Sequence, residues 1–230
     1  MNEVIPIAMP GTHSSFLNYF KTLGVDKHIK ILDVGAGHGA FTKTLFELGY
    51  NVTACDLYPE IFKYEKINCV KTDITKHFPF PDNSFDVAIS IEVSEHIIDH
   101  EVFFSELSRI IKPAGVLYIS TPNVLSLKSR FRFLFQGFFY SFKPLDMNNH
   151  DGLQHVASRT IDQYNYIAVK HGFEQAKLAI DKKQKSSLWL LVLLFPFIWV
   201  YSKLRKTPTL HNQFILMVGR LLFLQFRNKS

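Results

Sequence analysis

From residue 30 to residue 123 the chain alternates short apolar runs, each closed by a polar turn, with longer stretches of helical periodicity. Lys30–Asp33, Asn51–Cys55, Cys69–Lys71, Phe85–Ser90 and Val116–Ser120 read as strands. Ala40–Leu48, stopped by Gly49, and Glu101–Ile111, ended by Lys112-Pro113-Ala114-Gly115, read as helices. Pro81-Asp82-Asn83-Ser84 is a turn signal before the fourth strand, and Thr121-Pro122-Asn123 closes the fifth. A leading helix is predicted over Ser14–Leu23, with Thr12 or Ser14 as cap and Phe16, Leu17, Phe20 and Leu23 on one face. This alternation predicts an α/β domain with a parallel, doubly wound sheet, whose ligands sit beyond the carboxyl ends of the strands.

After Asn123 the pattern changes. Phe131–Phe142 is aromatic and basic, Leu145–Arg159 is polar and rich in His, and Ile161–His171 reads as a helix ended by Gly172. Phe173–Ile180 and Gln213–Val218 read as two late strands. Between them Leu188–Tyr201 is a block of fourteen apolar residues interrupted by Pro196. No internal repeat or low-complexity segment is visible, so residues 1–230 read as one domain.

The chemistry is concentrated where the first strand meets the first helix. Ile31-Leu32-Asp33-Val34-Gly35-Ala36-Gly37-His38-Gly39 is a buried strand entering a glycine turn, and the second strand ends in Asp56. Glycines allow a tight turn and close approach of a ligand, and a carboxylate there can accept hydrogen bonds from two ribose hydroxyls. The unit therefore points to a nucleoside. The spacing Gly35-x-Gly37-x-Gly39 departs from the dinucleotide pattern, and no Lys-Ser/Thr stands directly after a glycine to make a phosphate loop. Asp33 before the turn, counted among the cofactor-binding candidates, Asp73-Ile74 after the third strand, and Phe80–Ala88 leading into the fourth add specificity.

With these elements in place the chain resembles the class I S-adenosylmethionine-dependent methyltransferases, from about Lys30 to Asn123 and more weakly to Val218. The resemblance implies a Rossmann-like, doubly wound, seven-stranded sheet, mostly parallel with an antiparallel last strand. It implies that Gly35, Ala36 and Gly37 pack against the methionine part of the cofactor, and that Asp56, with Leu57 beside it, takes the ribose. Asp73 would face the adenine amino group beside the Ile74 backbone, and Ile91 and Glu92 would border the sulfonium. The chemistry agrees, because this cofactor needs no pyrophosphate cradle and nearby acids favour a sulfonium cation. A nicotinamide-binding or ligand-free fold is the competing reading.

Ile91-Glu92-Val93-Ser94-Glu95-His96 poses the sharpest question. If helical, Glu92, Glu95 and His96 share one face, a plausible half-site for Mg2+ or another divalent cation. The Glu-x-x-Glu-His pattern resembles two metal-using methyltransferase groups, those of ubiquinone biosynthesis and the small-RNA 2′-O-methyltransferases. In the latter a further His about sixty residues on completes the site; here His155 lies 59 residues after His96, and His150 lies 54 after it. A metal would lower the pKa of a substrate hydroxyl. The alternative is metal-free, with the acid capping amide groups and His96 packing near the substrate or acting as a base, and His155 a solvated loop residue. The catalytic candidates are His96 and Glu92 either way.

Charge then bears on the second half. The net charge is +6, hydrophobic residues make up 47% and aromatic residues 14%, and Phe alone contributes 22. Lys128, Arg130, Arg132 and Lys143 surround the first aromatic segment, and Lys182, Lys183, Lys185, Lys203, Arg205 and Lys206 flank the apolar block. Basic flanks around an apolar core fit an anionic membrane surface better than nucleic acid. A spanning helix needs about twenty residues, so the block reads as an interfacial or re-entrant hairpin within a 182–211 insertion anchored by Trp189 and Trp199. A buried helix pair on the sheet and an oligomer interface are the alternatives. Residues 124–160 read as a lid that admits an apolar substrate. This layout also resembles methyltransferases of surface-glycan and lipid-linked sugar pathways. Cys55 and Cys69 have no metal spacing and residues 1–10 no secretory pattern, so the expected location is cytoplasmic, peripheral on the inner face of the membrane.

The expectation is O-methylation of a lipid-linked glycan or another membrane-borne hydroxyl compound, with His96, or a metal on Glu92, Glu95, His96 and His155, easing deprotonation. A quinone-pathway or soluble small-molecule methyltransferase is the competitor, an RNA enzyme is more distant, and a catalytically silent cofactor-binding subunit is the rival outside enzymes.

Overall fold

A computed structural model describes residues 4–206 and 209–229. The elements run α1 (Thr12–Thr22), β1 (Lys30–Val34), α2 (Ala40–Glu47), β2 (Asn51–Asp56), β3 (Cys69–Lys71), β4 (Phe85–Ile91), α3 (His100–Ile110) and β5 (Ile111–Pro122). They continue with α4 (Leu127–Gln136), α5 (Ile161–Lys170), β6 (Lys177–Ile180), α6 (Lys185–Arg205), α7 (Phe214–Val218) and β7 (Leu221–Arg227). The strands form one seven-stranded sheet in the order β3-β2-β1-β4-β5-β7-β6. β1 to β5 are parallel, and β7 enters antiparallel between β5 and β6.

The period of two along each central strand divides the core between two faces of the sheet. Ile31, Val87, Ile89, Tyr118, Leu221 and Phe223 pack with Phe16 and Phe20 of α1 and Phe41 and Leu45 of α2. Leu32, Ala88, Leu117, Ile119, Leu222, Leu224 and Phe226 pack with Phe103, Phe104 and Leu107 of α3 and Tyr164 and Ile167 of α5. Strands covered on both faces are apolar throughout, which is why they read as runs rather than as alternations. Asp99 caps α3 by accepting from Glu101 N at 2.8 Å, and a reciprocal Thr160–Gln163 capping box starts α5.

Four expectations need correction. Helix α1 starts after Gly11, whose φ is 83°, and no side-chain cap bond starts it; the Ser14 hydroxyl instead donates back to Gly11 O at 3.1 Å. Gln213–Val218 is not a strand, because residues 214–218 form helix α7 and the strand is the next apolar run, Leu221–Arg227. Period cannot separate two adjacent apolar runs; Gly219 does, since a Cβ there would lie 2.4 Å from Ile180 and 2.9 Å from Ile215 O. Asn123 completes the break by donating to Leu216 O and Gly219 O. Of Phe173–Ile180 only residues 177–180 are in the strand, although Phe173 makes an isolated bridge to Asn228.

The apolar block is not a hairpin. It is part of a single 21-residue helix, Lys185–Arg205, that carries Pro196 inside it. By length and composition it is the one helix among the described residues long and apolar enough to cross a membrane, and 6% of its most apolar window is buried. Residues 207 and 208 of the 182–211 segment lie outside the described residues.

Candidate cofactor and catalytic site

A cavity of about 560 Å³ opens at the carboxyl ends of β1, β2 and β4. The glycine turn forms one wall. Gly35, Gly37 and Gly39 all have positive φ, and a Cβ on Gly35 would lie 2.5 Å from Val93, so the turn and the segment after β4 touch only because a side chain is missing. Gly35 N and Ala36 N donate to Cys55 O at 2.9 and 3.0 Å, which fixes the turn against β2.

Asp56 ends β2 with both oxygens engaged by backbone: Gly37 N donates to one at 2.8 Å and Tyr58 N to the other at 2.9 Å. Each oxygen keeps a further lone pair for a ligand hydroxyl. Leu57, Asp73, Ile74, Ile91 and Glu92 line the same cavity. Asp73 is held by Thr75 and by Lys76 at 2.9 Å, and the Thr75 hydrogen bond is the main reason its pKa lies below the ordinary value.

Asp33 departs from expectation. It does not line the cavity but sits buried behind the turn, accepting from the Thr42 hydroxyl at 2.5 Å and so tying β1 to α2. Burial pushes its pKa up to about 6. There it positions the turn. Sequence reasoning also missed the N-terminal segment: Ile7, Ala8, Met9 and His13 line the cavity. His38 Nδ1 is 2.9 Å from Ile5 O, holding that strap over the glycines. The only signal was an apolar trio, Ile5, Ile7 and Met9, ahead of a helix.

The Glu-x-x-Glu-His segment is not one helix face. Glu92 has φ 56°, and a short 3₁₀ turn, Ser94–His96, follows. The left-handed residue swings Glu92 toward β5, where it accepts from the Ser120 hydroxyl at 2.6 Å. Burial raises its pKa to about 7. Glu95 turns inward and is fully buried; burial, then the charge of Glu92, pushes its pKa well above the ordinary range. Thr121 Oγ1 is 3.4 Å from its Oε2, while Oε1 has no hydrogen-bond partner.

His96 Nδ1 is 3.0 Å from Gln154 O. A carbonyl can only accept, so Nδ1 carries the proton and the neutral ring keeps its lone pair on Nε2. Burial lowers the His96 pKa, and it lowers that of His155 to about 4, with His96 adding to the effect. The two rings lie edge to face with centroids 4.9 Å apart. The main chain joins them as well, because Val156 N and Ala157 N both donate to Glu95 O.

Glu95, His96 and His155 each offer a ligand atom, all within 4.8 Å of one another. Two imidazoles held neutral and a buried carboxyl with an orphaned oxygen are donors that fit a cation; His155 Nδ1 is orphaned too. Glu92, committed to Ser120, is not in this group, so the four-residue ligand set becomes three. His150 is in neither the group nor the cavity wall. Asp151, Gly152, Leu153 and Ser141 come from the 124–160 segment and border the cavity beside His155.

Comparison with known proteins agrees with this geometry. A family described as "Methyltransferase domain" matches residues 32–119. The chain is 28% identical over 156 residues to a ubiquinone biosynthesis O-methyltransferase of Pelagibacter ubique, 64% of each chain. It is 36% identical over 102 residues to a 2-methyl-6-phytyl-1,4-hydroquinone methyltransferase of Synechocystis, 40% of this chain and 32% of the relative. It is 33% identical over 105 residues to a demethylmenaquinone methyltransferase of Tropheryma whipplei, 43% and 44%. The chain thus spans less than two thirds of these relatives' own lengths. The fold is that of an S-adenosylmethionine-dependent methyltransferase from Archaeoglobus fulgidus (TM-score 0.59, 17% identity, 92% of both chains). It is also that of a phosphoethanolamine N-methyltransferase from Haemonchus contortus solved with S-adenosylmethionine (TM-score 0.57, 18% identity, 94% of this chain and 53% of the other). The glycine turn and the acid closing β2 both lie within residues 32–119, the stretch that matches the methyltransferase domain family, on a fold shared with S-adenosylmethionine-dependent methyltransferases.

Proposed function

We propose that the chain transfers the methyl group of S-adenosylmethionine to a hydroxyl of an apolar, membrane-borne small molecule. The observation that carries this reading is one cavity holding both the nucleoside wall, Gly35 to Asp56, and a neutral histidine with a free lone pair, His96. The cofactor supplies the electrophilic methyl and leaves as the neutral thioether. The chain's part is to hold the nucleoside at Asp56 and Gly37, exclude water with the strap and the 141–155 loop, and accept the hydroxyl proton at His96 Nε2. Its lowered pKa keeps His96 in the accepting form at neutral pH.

A divalent cation fits the same place, held by Glu95, His96 and His155. Bound there it would acidify the substrate hydroxyl; two imidazoles suit a first-row transition metal better than Mg2+, which prefers an all-oxygen shell. Within the substrate class, the names of the three relatives favour a prenylated quinol over a lipid-linked glycan. The test is incubation of the protein and methyl-labelled cofactor with a membrane lipid extract. The expected result is one added methyl on a hydroxyl-bearing component. Intact cofactor binding with no transfer to any component would instead favour a catalytically silent subunit.

A further inference from the structure

One surface of the molecule is unlike the rest. Segments 124–145 and 182–230 contain no Asp or Glu; all 20 acids lie elsewhere. Two helices from these segments, α4 and α6, pack together, and what they turn outward is apolar. Leu134 and Phe135 of α4 are 75% and 70% exposed, and Trp189, Phe197 and Leu204 of α6 are 77%, 70% and 78% exposed. On α6 a stripe at helical spacing, Leu188, Leu191 and Ile198, rests on a small core of Leu127, Met217 and Val218. Most other side chains of the helix are apolar and exposed, and Lys182, Lys183 and Lys185 at one end and Lys203, Arg205 and Lys206 at the other are exposed as well.

We propose that α4 and α6 form a docking face for an anionic lipid bilayer, with α6 lying in the plane of the membrane rather than crossing it. Charge complementarity selects the occupant. Cations at both ends of an exposed apolar helix, with aromatic residues between them and no acid on the face, match phosphate headgroups around an acyl interior. The in-plane orientation follows from how α6 is tied down. At its start Gln184 N donates to Val218 O at 2.8 Å, and Lys128 N donates to the Ser187 hydroxyl at 3.1 Å. Beyond its end His211 pairs with Asp162 at 2.7 Å, and Arg130 of α4 donates to Asn212 at 2.7 Å. Contacts from Leu188 to Ile198 keep the helix against the domain for about 15 Å. A helix tied to the domain at its start and packed on it from Leu188 to Ile198, with the chain back on the same domain by His211, runs along one side of that domain and does not place its two ends on opposite sides of a bilayer.

A run of rings leads from this face inward. Phe133, half-exposed on α4, stacks on Phe139 at 4.5 Å; Phe139 meets Phe142 at 6.5 Å, Phe142 meets His155 at 5.3 Å, and His155 meets His96. This path rests on the methyltransferase reading, since it would carry an apolar substrate from acyl layer to cavity. The docking itself does not rest on it.

The test uses the full chain and needs no turnover. Vesicles of phosphatidylcholine, and of phosphatidylcholine with phosphatidylglycerol, are floated with the protein at low and high salt. The protein should float with the anionic vesicles, and Lys182→Gln, Lys185→Gln and Lys203→Gln should each weaken partitioning by about fivefold. The chain's only two tryptophans, Trp189 and Trp199, report orientation because both lie on α6. In the conservative variants Trp189→Phe and Trp199→Phe, the remaining tryptophan should be quenched most by bromine at one and the same acyl depth. Depths differing by about 15 Å would overturn the in-plane orientation. Failure to float with either vesicle would overturn the docking. So would a non-floating dimer that hides both tryptophans from a water-soluble quencher, which would assign the face to a second copy of the chain. Retained cofactor binding in each variant keeps these outcomes separate from misfolding and from failure of the methyltransferase reading.

Discussion

The sheet around β1 and the α4–α6 face contain similar kinds of side chain and put them to opposite use. Phe16, Phe20, Phe41, Phe103 and Phe104 are wholly inside, wedged between helices and a sheet that is apolar on both sides. Phe131, Phe135, Phe195 and Phe197 stand outside on helices whose inner stripe alone touches the domain. In the first region apolar area is removed from water by the fold itself. In the second it is left for something else to cover, so large aromatic content is a stability term in one place and a binding term in the other.

Paired substitutions break or sharpen that contrast. The largest expected effect is Phe104→Ala, which should cost about 3–5 kcal/mol in urea unfolding because it opens a cavity between α3, α5 and β7, whereas Leu193→Ala on α6 should stay within about 0.5 kcal/mol in water. Equal losses would erase the distinction. Next, on the proposed role of Asp56 as acceptor of two ribose hydroxyls, Asp56→Ala should weaken cofactor affinity by about 100-fold in calorimetric titration. Leu193→Ala should leave that affinity unchanged.

A smaller effect concerns pH. His100 is fully buried, and burial, then Arg159, lowers its pKa from 6.5 to about 4. The unfolded chain therefore binds this proton more readily, so its contribution is fully present above pH 6.5 and is lost as pH falls toward 4. In His100→Gln the fall in Tm over that window should narrow by roughly 2–4 °C, the equivalent of about 1 kcal/mol in a domain of this size. The smallest effect is Glu95→Gln. Because burial and the charge of Glu92 favour the neutral carboxyl, the neutral amide should change metal-free stability by less than about 0.5 kcal/mol. Excess Mn2+, at about a hundredfold over Kd, should then raise the Tm of the parent by roughly 5 °C or more and leave the variant unmoved.

The same contrast explains how much was legible from residues alone. Gly35, Gly37, Asp56, Asp73 and the five parallel strands follow from local rules: a positive φ, a turn, an apolar run covered on both faces. Their positions were readable because each rule acts over a few residues. Glu92 was misplaced because helical spacing assumed a helix, while one left-handed residue sends its carboxylate to Ser120 instead. Residues 214–218 and 221–227 were confused because adjacent apolar runs carry no period, and the Gly219 that separates them matters through tertiary contacts with Ile180. Continuity of α6 through Pro196 was missed because proline was read as a break; the helix accommodates it in its middle. Asp33 was assigned to the ligand because nothing local shows that Thr42 would claim it.

The absence of acids after Asp181 has a consequence for buffers rather than for geometry. The charged side chains of α6 itself, Lys185, Lys203 and Arg205, are all basic, and no carboxylate on the helix offsets them. Whatever this face meets, ionic strength sets the reach of its field, about 10 Å at 0.1 M salt. The cavity is built the other way: Glu92, Glu95, His96 and His155 stand together there, and burial disfavours the charged form of each.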